Sequence, residues 1–226
     1  MSSFELTHSN WVIIMLNLSP SLMCADYGHF ADEIDNLENA GVTSFHIDIM
    51  DGIFVPNFAL SWGQVAYCRT HTKLPLEAHL MVENIEPHIN FILKCGVNLV
   101  YVHVENEKAV RAIDSLKGRG INVGLAVNPE TSIDKFKHLL PEINKILAMR
   151  VRPGFAGQRP IDENDKKIKY LVQKYPNIEV SIDGGVSLKN IEEFAACGVK
   201  GFVLGTASIF GKKESYQLLL QHFINK

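Results

Sequence analysis

The chain has 226 residues, of which 46% are hydrophobic and 21% charged, and its formal net charge is −3. Such a chain can bury one sizeable core of the size of a single α/β barrel domain, and its mixed charge leaves no broad basic field for nucleic acid or an anionic membrane. The cysteines Cys24, Cys68, Cys95 and Cys197 are far apart and form no CxxC pair, as expected of a reduced, cytoplasmic protein.

The apolar run Trp11-Val12-Ile13-Ile14-Met15-Leu16 lacks a basic leader and a small-residue cleavage site and is too short to span a bilayer. Residues 1–15 therefore read as an N-terminal extension, with Met15 an alternative start, and residues 16–226 as the barrel domain. From Leu16 onward, short runs rich in β-branched residues alternate with longer amphipathic segments every ~25 residues, as repeated βα units do. Strands are expected at Leu16–Ser19, Ser44–Asp48, Leu76–Leu80, Leu99–Val104, Val123–Val127, Lys145–Val151, Glu179–Ile182 and Gly201–Leu204. Helices are expected between them, among others at Gly28–Ala40, Pro87–Cys95, Glu107–Gly118, Glu163–Tyr175 and Leu188–Cys197, several ending in Ala-Gly or Cys-Gly, where glycine supplies a left-handed cap. Eight parallel strands can form an open doubly wound sheet or a closed (β/α)8 (TIM) barrel. The regular spacing favours the barrel, and the Gly-x-Gly-x-x-Gly of a nucleotide-binding sheet is replaced after the first strand by Ser19-Pro20-Ser21-Leu22-Met23-Cys24.

Barrel chemistry gathers at the C-terminal ends of the strands. Strand two ends in His46-Ile47-Asp48-Ile49-Met50-Asp51-Gly52, where alternation turns His46 and Asp48 to one face. Strand three ends in His79-Leu80-Met81 and strand seven in Asp183-Gly184-Gly185. Any one of these residues alone reads more simply as a hydrogen-bonded core residue. Two imidazoles and two carboxylates from three strand ends form together a nitrogen and oxygen set suited to a divalent metal, Zn²⁺ first, with Fe²⁺, Mn²⁺ or Co²⁺ as alternatives. Gly184-Gly185 after strand seven and Gly205-Thr206-Ala207-Ser208 after strand eight present backbone N–H groups in the manner of a barrel phosphate site. Pro153-Gly154-Phe155-Ala156-Gly157-Gln158 after strand six reads as a loop able to fold over a ligand.

With Ser19-Pro20-Ser21, the His46 to Gly52 run continuing to Phe54-Val55-Pro56-Asn57, His79-Leu80-Met81, Pro153 to Gln158 and Asp183-Gly184-Gly185-Val186, the chain resembles the ribulose-phosphate 3-epimerase family from about Leu16 to its C-terminus. The resemblance implies that His46, Asp48, His79 and Asp183 hold the metal, and that Asp48 and Asp183 also exchange protons with C3 of a phosphorylated ketose. It further implies that Ser21, His79, Met50, Met81 and Met149 meet the substrate, and that Gly154, Phe155, Ala156, Gly157, Gly184, Gly185, Gly205 and Thr206 surround its phosphate end. Without it, the three methionines read as core residues. The family commonly assembles, so a homo-oligomer is expected, with the apolar residues Phe54, Phe58 and Trp62 serving an interface or packing on the substrate loop.

Arg150 and Arg152 occupy positions that are uncharged or acidic in most of the family. Arg152 is expected as a solvated charge at the loop lip, or else as a reader of a longer or more anionic substrate. Ser21-Leu22-Met23-Cys24, Asn128-Pro129-Glu130-Thr131 and Ala156 resemble the allulose-6-phosphate 3-epimerase branch, which makes the hexose phosphate the alternative to ribulose 5-phosphate. His103 and Glu105 read as support for the ligands, Cys24 as a small buried thiol and Asp51 as a turn brace. A decarboxylase of the orotidine-phosphate type would carry a lysine between Asp48 and Asp51, and none is present. The remaining rival is a catalytically silent sugar-phosphate binding barrel.

Overall fold

The computed structural model describes residues 16–224, and the expected extension over residues 1–15 lies outside the described residues. Eight strands form one parallel sheet: β1 (Asn17–Pro20), β2 (Phe45–Met50), β3 (Leu76–Met81), β4 (Leu99–His103), β5 (Asn122–Val127), β6 (Lys145–Met149), β7 (Glu179–Asp183) and β8 (Gly201–Leu204). Each pairs with its sequence neighbour from β2 to β8, and β8 pairs back onto β1.

Few backbone pairs join β1 to β2, and side chains supplement them. Thr43 N donates to Leu18 O at 3.1 Å, and Ser21 bridges in parallel to His46. Asn17 Oδ1 accepts from the Thr43 and Ser44 hydroxyls at 2.7 and 2.8 Å, while Asn17 Nδ2 donates to Glu77 Oε1 at 2.8 Å. The barrel is thus nearly closed, leaving little strand edge exposed.

Helices α1 (Phe30–Asn39), α2 (Trp62–His71), α3 (Ile89–Lys94), α4 (Ala109–Lys117), α5 (Asp165–Lys174), α6 (Leu188–Ala196) and α7 (Tyr216–Ile224) surround the strands. Three of the helices expected from the sequence start with 3₁₀ turns, at Tyr27–His29, Glu86–His88 and Asp162–Asn164. The β5–β6 crossover consists of two 3₁₀ turns, Ile133–Lys135 and Lys137–Glu142, the second containing Pro141, which has no N–H to continue a helix. No helix among the described residues is long and apolar enough to cross a membrane.

Alternation along the strands separates two cores. Outward-facing residues such as Ile47, Leu80, Val100 and Ile182 pack against Ile34, Val65, Ile92 and Ile191 of the helices. Inside the barrel, Tyr101, Ala126, Leu147, Met149 and Val203 form a second cluster. Tyr101 fits because Gly124 faces it: a Cβ there would lie 2.7 Å from the ring. This packed interior forms the floor beneath the C-terminal ends of the strands.

Candidate active site

The same alternation turns His46 and Asp48 of β2, His79 of β3 and Asp183 at the end of β7 into the upper barrel. One ligand atom from each of the four lies within 4.8 Å of the others, a set that could hold a divalent cation. Asp48 is the hub: its Oδ1 lies 3.2 Å from His79 Nδ1 and 3.4 Å from His46 Nε2, and its Oδ2 accepts from Ser21 Oγ at 2.5 Å. Asp183 Oδ2 lies 3.8 Å from His79 Nδ1. His46 is fully buried, yet neither of its ring nitrogens makes a hydrogen bond among the described residues. A buried imidazole that makes no hydrogen bond is destabilising, whereas a ring nitrogen 3.4 Å from the Asp48 carboxylate suits a metal ligand.

The two carboxylates sit in unlike surroundings. Burial opposes the ionised form of Asp48, but His46 and His79 beside it outweigh burial and hold the carboxyl well below the usual carboxylate range. Burial, with Asp48 adding to it, raises Asp183 to about 6. Burial lowers His79 despite its contact with Asp48, whereas the pull of Asp48 outweighs the burial of His46 and raises it to about 9.

Above the cluster opens a cavity of about 300 Å³. Ser21, Asp48, His79 and Asp183 reach its floor, and Met50, Met81 and Met149 line its wall. The loop Gly154-Phe155-Ala156-Gly157 and the turns Gly184-Gly185 and Gly205-Thr206 complete it, so every residue expected to meet substrate faces this space. His46 alone of the expected site residues sits beneath it. Gly184 has φ 101° and packs so tightly that an added Cβ would lie 2.9 Å from the Val151 backbone nitrogen, which reserves the position for glycine.

Several supporting contacts were not legible in the sequence. Arg150 faces away from the cavity, opposite in sense to Met149, and is 2% exposed. Its guanidinium forks onto Asp165, reaches Gly185 O at 3.4 Å and Asn190 Oδ1 at 3.3 Å, and lies over the Phe194 ring. No local signal marks this role, since Asp165 lies 15 residues on, at the start of α5. Asn57 Nδ2 donates to Gly154 O at 2.6 Å, joining the segment after β2 to the loop after β6. Lys167 Nζ donates to the carbonyls of Asn128, Pro129 and Thr131 and pins the turn after β5.

Arg152 is a lip residue: its side chain is 75% exposed, pairs with Glu130 at 2.6 Å, and also lines the cavity. Asp51 braces its turn, accepting from the backbone N–H groups of Ile53, Phe54 and Glu83. Burial pushes the Cys24 thiol up to about 12, leaving it a poor nucleophile. Phe54 packs on the Met50 and Met81 cluster, while Phe58 is exposed. Beyond His79, the His103 Nε2 atom lies 2.8 Å from His79 Nε2, and His103 Nδ1 lies 3.0 Å from Glu105 Oε2.

Known proteins resemble this chain along most of its length. The family described as the ribulose-phosphate 3 epimerase family matches residues 17–210. The ribulose-phosphate 3-epimerase of Helicobacter pylori strain J99 is 36% identical over 204 residues, covering 88% of this chain and 93% of its own. That of Methanocaldococcus jannaschii is 35% identical over 205 residues, covering 88% and 86%. Among solved structures, phosphoribosyl anthranilate isomerase from Thermus thermophilus aligns with a TM-score of 0.69 at 12% identity, over 93% of this chain and 99% of its own. That likeness concerns the barrel fold alone. Matched along nearly its whole barrel by family and relatives alike, the chain belongs to the ribulose-phosphate 3-epimerase family, a family of isomerases.

Proposed function

We propose that the protein interconverts ribulose 5-phosphate and xylulose 5-phosphate by epimerisation at C3, with a divalent metal, Zn²⁺ first, held by His46, Asp48, His79 and Asp183. The observation that carries this reading is the convergence of two carboxylates and two imidazoles within 4.8 Å on the floor of a cavity ringed by glycine turns. The donor set fits such a metal, because the buried His46 offers ring nitrogens that make no hydrogen bond and two carboxylates balance the charge. A divalent cation held by these four residues would supply Lewis-acid stabilisation of the negative charge that develops on the substrate when the C3 proton is removed.

The chain's own residues perform the proton transfers. C3 lies next to the ketone carbon, so its proton is acidic enough for a positioned carboxylate to remove, giving a planar enediolate. Inversion then requires a proton on the opposite face. Asp48 and Asp183 come from β2 and β7, which β8 and β1 separate around the barrel, and they approach the reacting carbon from different sides. One accepts the C3 proton while the other donates, and the roles exchange in the reverse direction. Ser21, donating to Asp48 Oδ2, holds that carboxylate's orientation. Met50, Met81 and Met149 keep water from the intermediate. The phosphate rests on backbone N–H groups of the Gly184-Gly185 and Gly205-Thr206 turns.

Arg152 favours one alternative, allulose 6-phosphate, because an exposed guanidinium that lines the cavity can follow a phosphate carried one carbon further out. Measuring kcat/KM for both sugars on one metal-defined preparation tests the choice. A higher value for ribulose 5-phosphate supports the pentose reading, and a higher value for the hexose phosphate reverses it.

A further inference from the structure

His103 at the end of β4 and Glu105 just beyond it belong neither to the cavity wall nor to the four-residue cluster. His79 turns Nδ1 toward Asp48 Oδ1 at 3.2 Å and Asp183 Oδ2 at 3.8 Å, and it turns Nε2 toward His103 Nε2 at 2.8 Å. A nitrogen–nitrogen contact this short between neutral imidazoles holds one proton, which belongs either to His79 or to His103.

Glu105 decides which. Its Oε1 accepts from the Asn128 backbone N–H at 2.9 Å and from the Thr131 hydroxyl at 2.5 Å, and its Oε2 lies 3.0 Å from His103 Nδ1. Asp48 and Glu105 can both only accept, and two neutral imidazoles cannot serve both. Glu105 is the nearer, 3.0 Å from His103 against 3.2 Å from Asp48 to His79, and Asp48 already accepts from Ser21, so His103 carries its proton on Nδ1 and offers a lone pair at Nε2. The shared proton therefore sits on His79 Nε2, and His79 Nδ1 keeps its lone pair. That lone pair and Asp48 Oδ1 then face each other as two acceptors 3.2 Å apart, an arrangement stabilised by a cation bound to both. The reverse order would protonate His79 Nδ1 and block the ligand atom. Phe54, with its ring centroid 5.0 Å from that of His103, packs against this imidazole.

The structure assigns to Glu105, acting through His103, the task of fixing the tautomer of His79 so that Nδ1 is free to bind a divalent cation. This rests on the metal-site reading above. Glu105 and His103 are positioning residues, two and one hydrogen bonds removed from the ligand.

Glu105→Gln tests it with almost no change in shape. The Asn128 N–H requires an acceptor, so the amide oxygen takes the Oε1 position and the NH₂ group faces His103 Nδ1, reversing every donor in the series. Zn²⁺ affinity, measured by competition with a chromophoric chelator, is expected to fall about 10- to 100-fold. Nitrogen-15 NMR of the metal-free protein is expected to show His79 protonated at Nε2 in the wild type and at Nδ1 in the variant. Wild-type Zn²⁺ binding that E105Q retains to within about threefold, below the range for such support, overturns this assignment alone. So does a wild-type His79 protonated at Nδ1, a result that needs no variant and decides the matter even if E105Q fails to fold. A wild-type protein that takes up no Zn²⁺ overturns both this assignment and the metal site itself.

Discussion

Arg150 forks onto Asp165, Nε to Oδ1 at 3.0 Å and Nη2 to Oδ2 at 3.1 Å, and the same guanidinium reaches the Gly185 carbonyl. A buried arginine just past the end of β6 thus connects α5 to one of the two turns proposed to hold phosphate. Arg150→Met keeps much of the volume but strands Asp165, whose side chain is 26% exposed. Because Asp165 retains some solvent, the loss is expected near the lower end of the ~3–5 kcal/mol typical of breaking a buried pair. Urea denaturation measures it. Arg150→Lys should recover little, because an ammonium cannot fork onto a carboxylate and also reach the turn.

Asp48→Asn and Asp183→Asn should each lower kcat by at least about 10²-fold, the scale of a lost general acid or base, while circular dichroism shows the barrel intact. Both residues are also proposed ligands, so metal content must be measured alongside turnover. A variant that keeps its metal and loses turnover isolates proton transfer. One that keeps near-normal turnover removes that aspartate from the mechanism.

Asn57→Ala removes the Nδ2 donor that holds Gly154 O. A neutral hydrogen bond contributes about 0.5–1.5 kcal/mol. If the loop over the cavity depends on that bond for its closed position, KM should rise about 2- to 10-fold, with a smaller change in kcat. Steady-state kinetics with the preferred ketose phosphate gives both values.

Metal removal should abolish turnover without unfolding the protein, since the inner and outer cores are built from apolar residues independent of the cluster. Chelator treatment followed by stoichiometric Zn²⁺ should restore activity. Binding requires neutral imidazoles and ionised carboxylates, so affinity falls as pH falls and acid promotes release. A chelator titration repeated from pH 8 to pH 5 should show progressively easier stripping.

Much of this site was legible in the sequence because strand alternation is a strong constraint. His46 and Asp48, two apart, had to share a face, and the chain between strand ends placed His79 and Asp183 at the same rim. The eight strands appear within about two residues of their expected bounds, and the glycines after α1, α3 and α6 have positive φ, as helix caps require. What escaped were contacts set by tertiary geometry. Arg150 and Arg152 look like a matched pair in sequence, but they differ sharply in structure, one buried on Asp165 and one exposed on Glu130. The β5–β6 crossover gives up the helix that the repeat implied, and Asn57 acquires its role only from a loop far along the chain.

Deuterium incorporation at C3 of ribulose 5-phosphate in D₂O, by protein loaded with a defined divalent metal, tests the proposed epimerisation most directly. Epimerisation by this pair predicts exchange at C3 accompanied by xylulose 5-phosphate, both lost on chelation. Asp48→Asn and Asp183→Asn should each lose xylulose 5-phosphate, and exchange should be lost in the variant that lacks the carboxylate facing the C3 proton of ribulose 5-phosphate. A fully metal-loaded, folded sample that exchanges no C3 proton of either ribulose 5-phosphate or allulose 6-phosphate would contradict it and leave a barrel that binds sugar phosphates without turning them over.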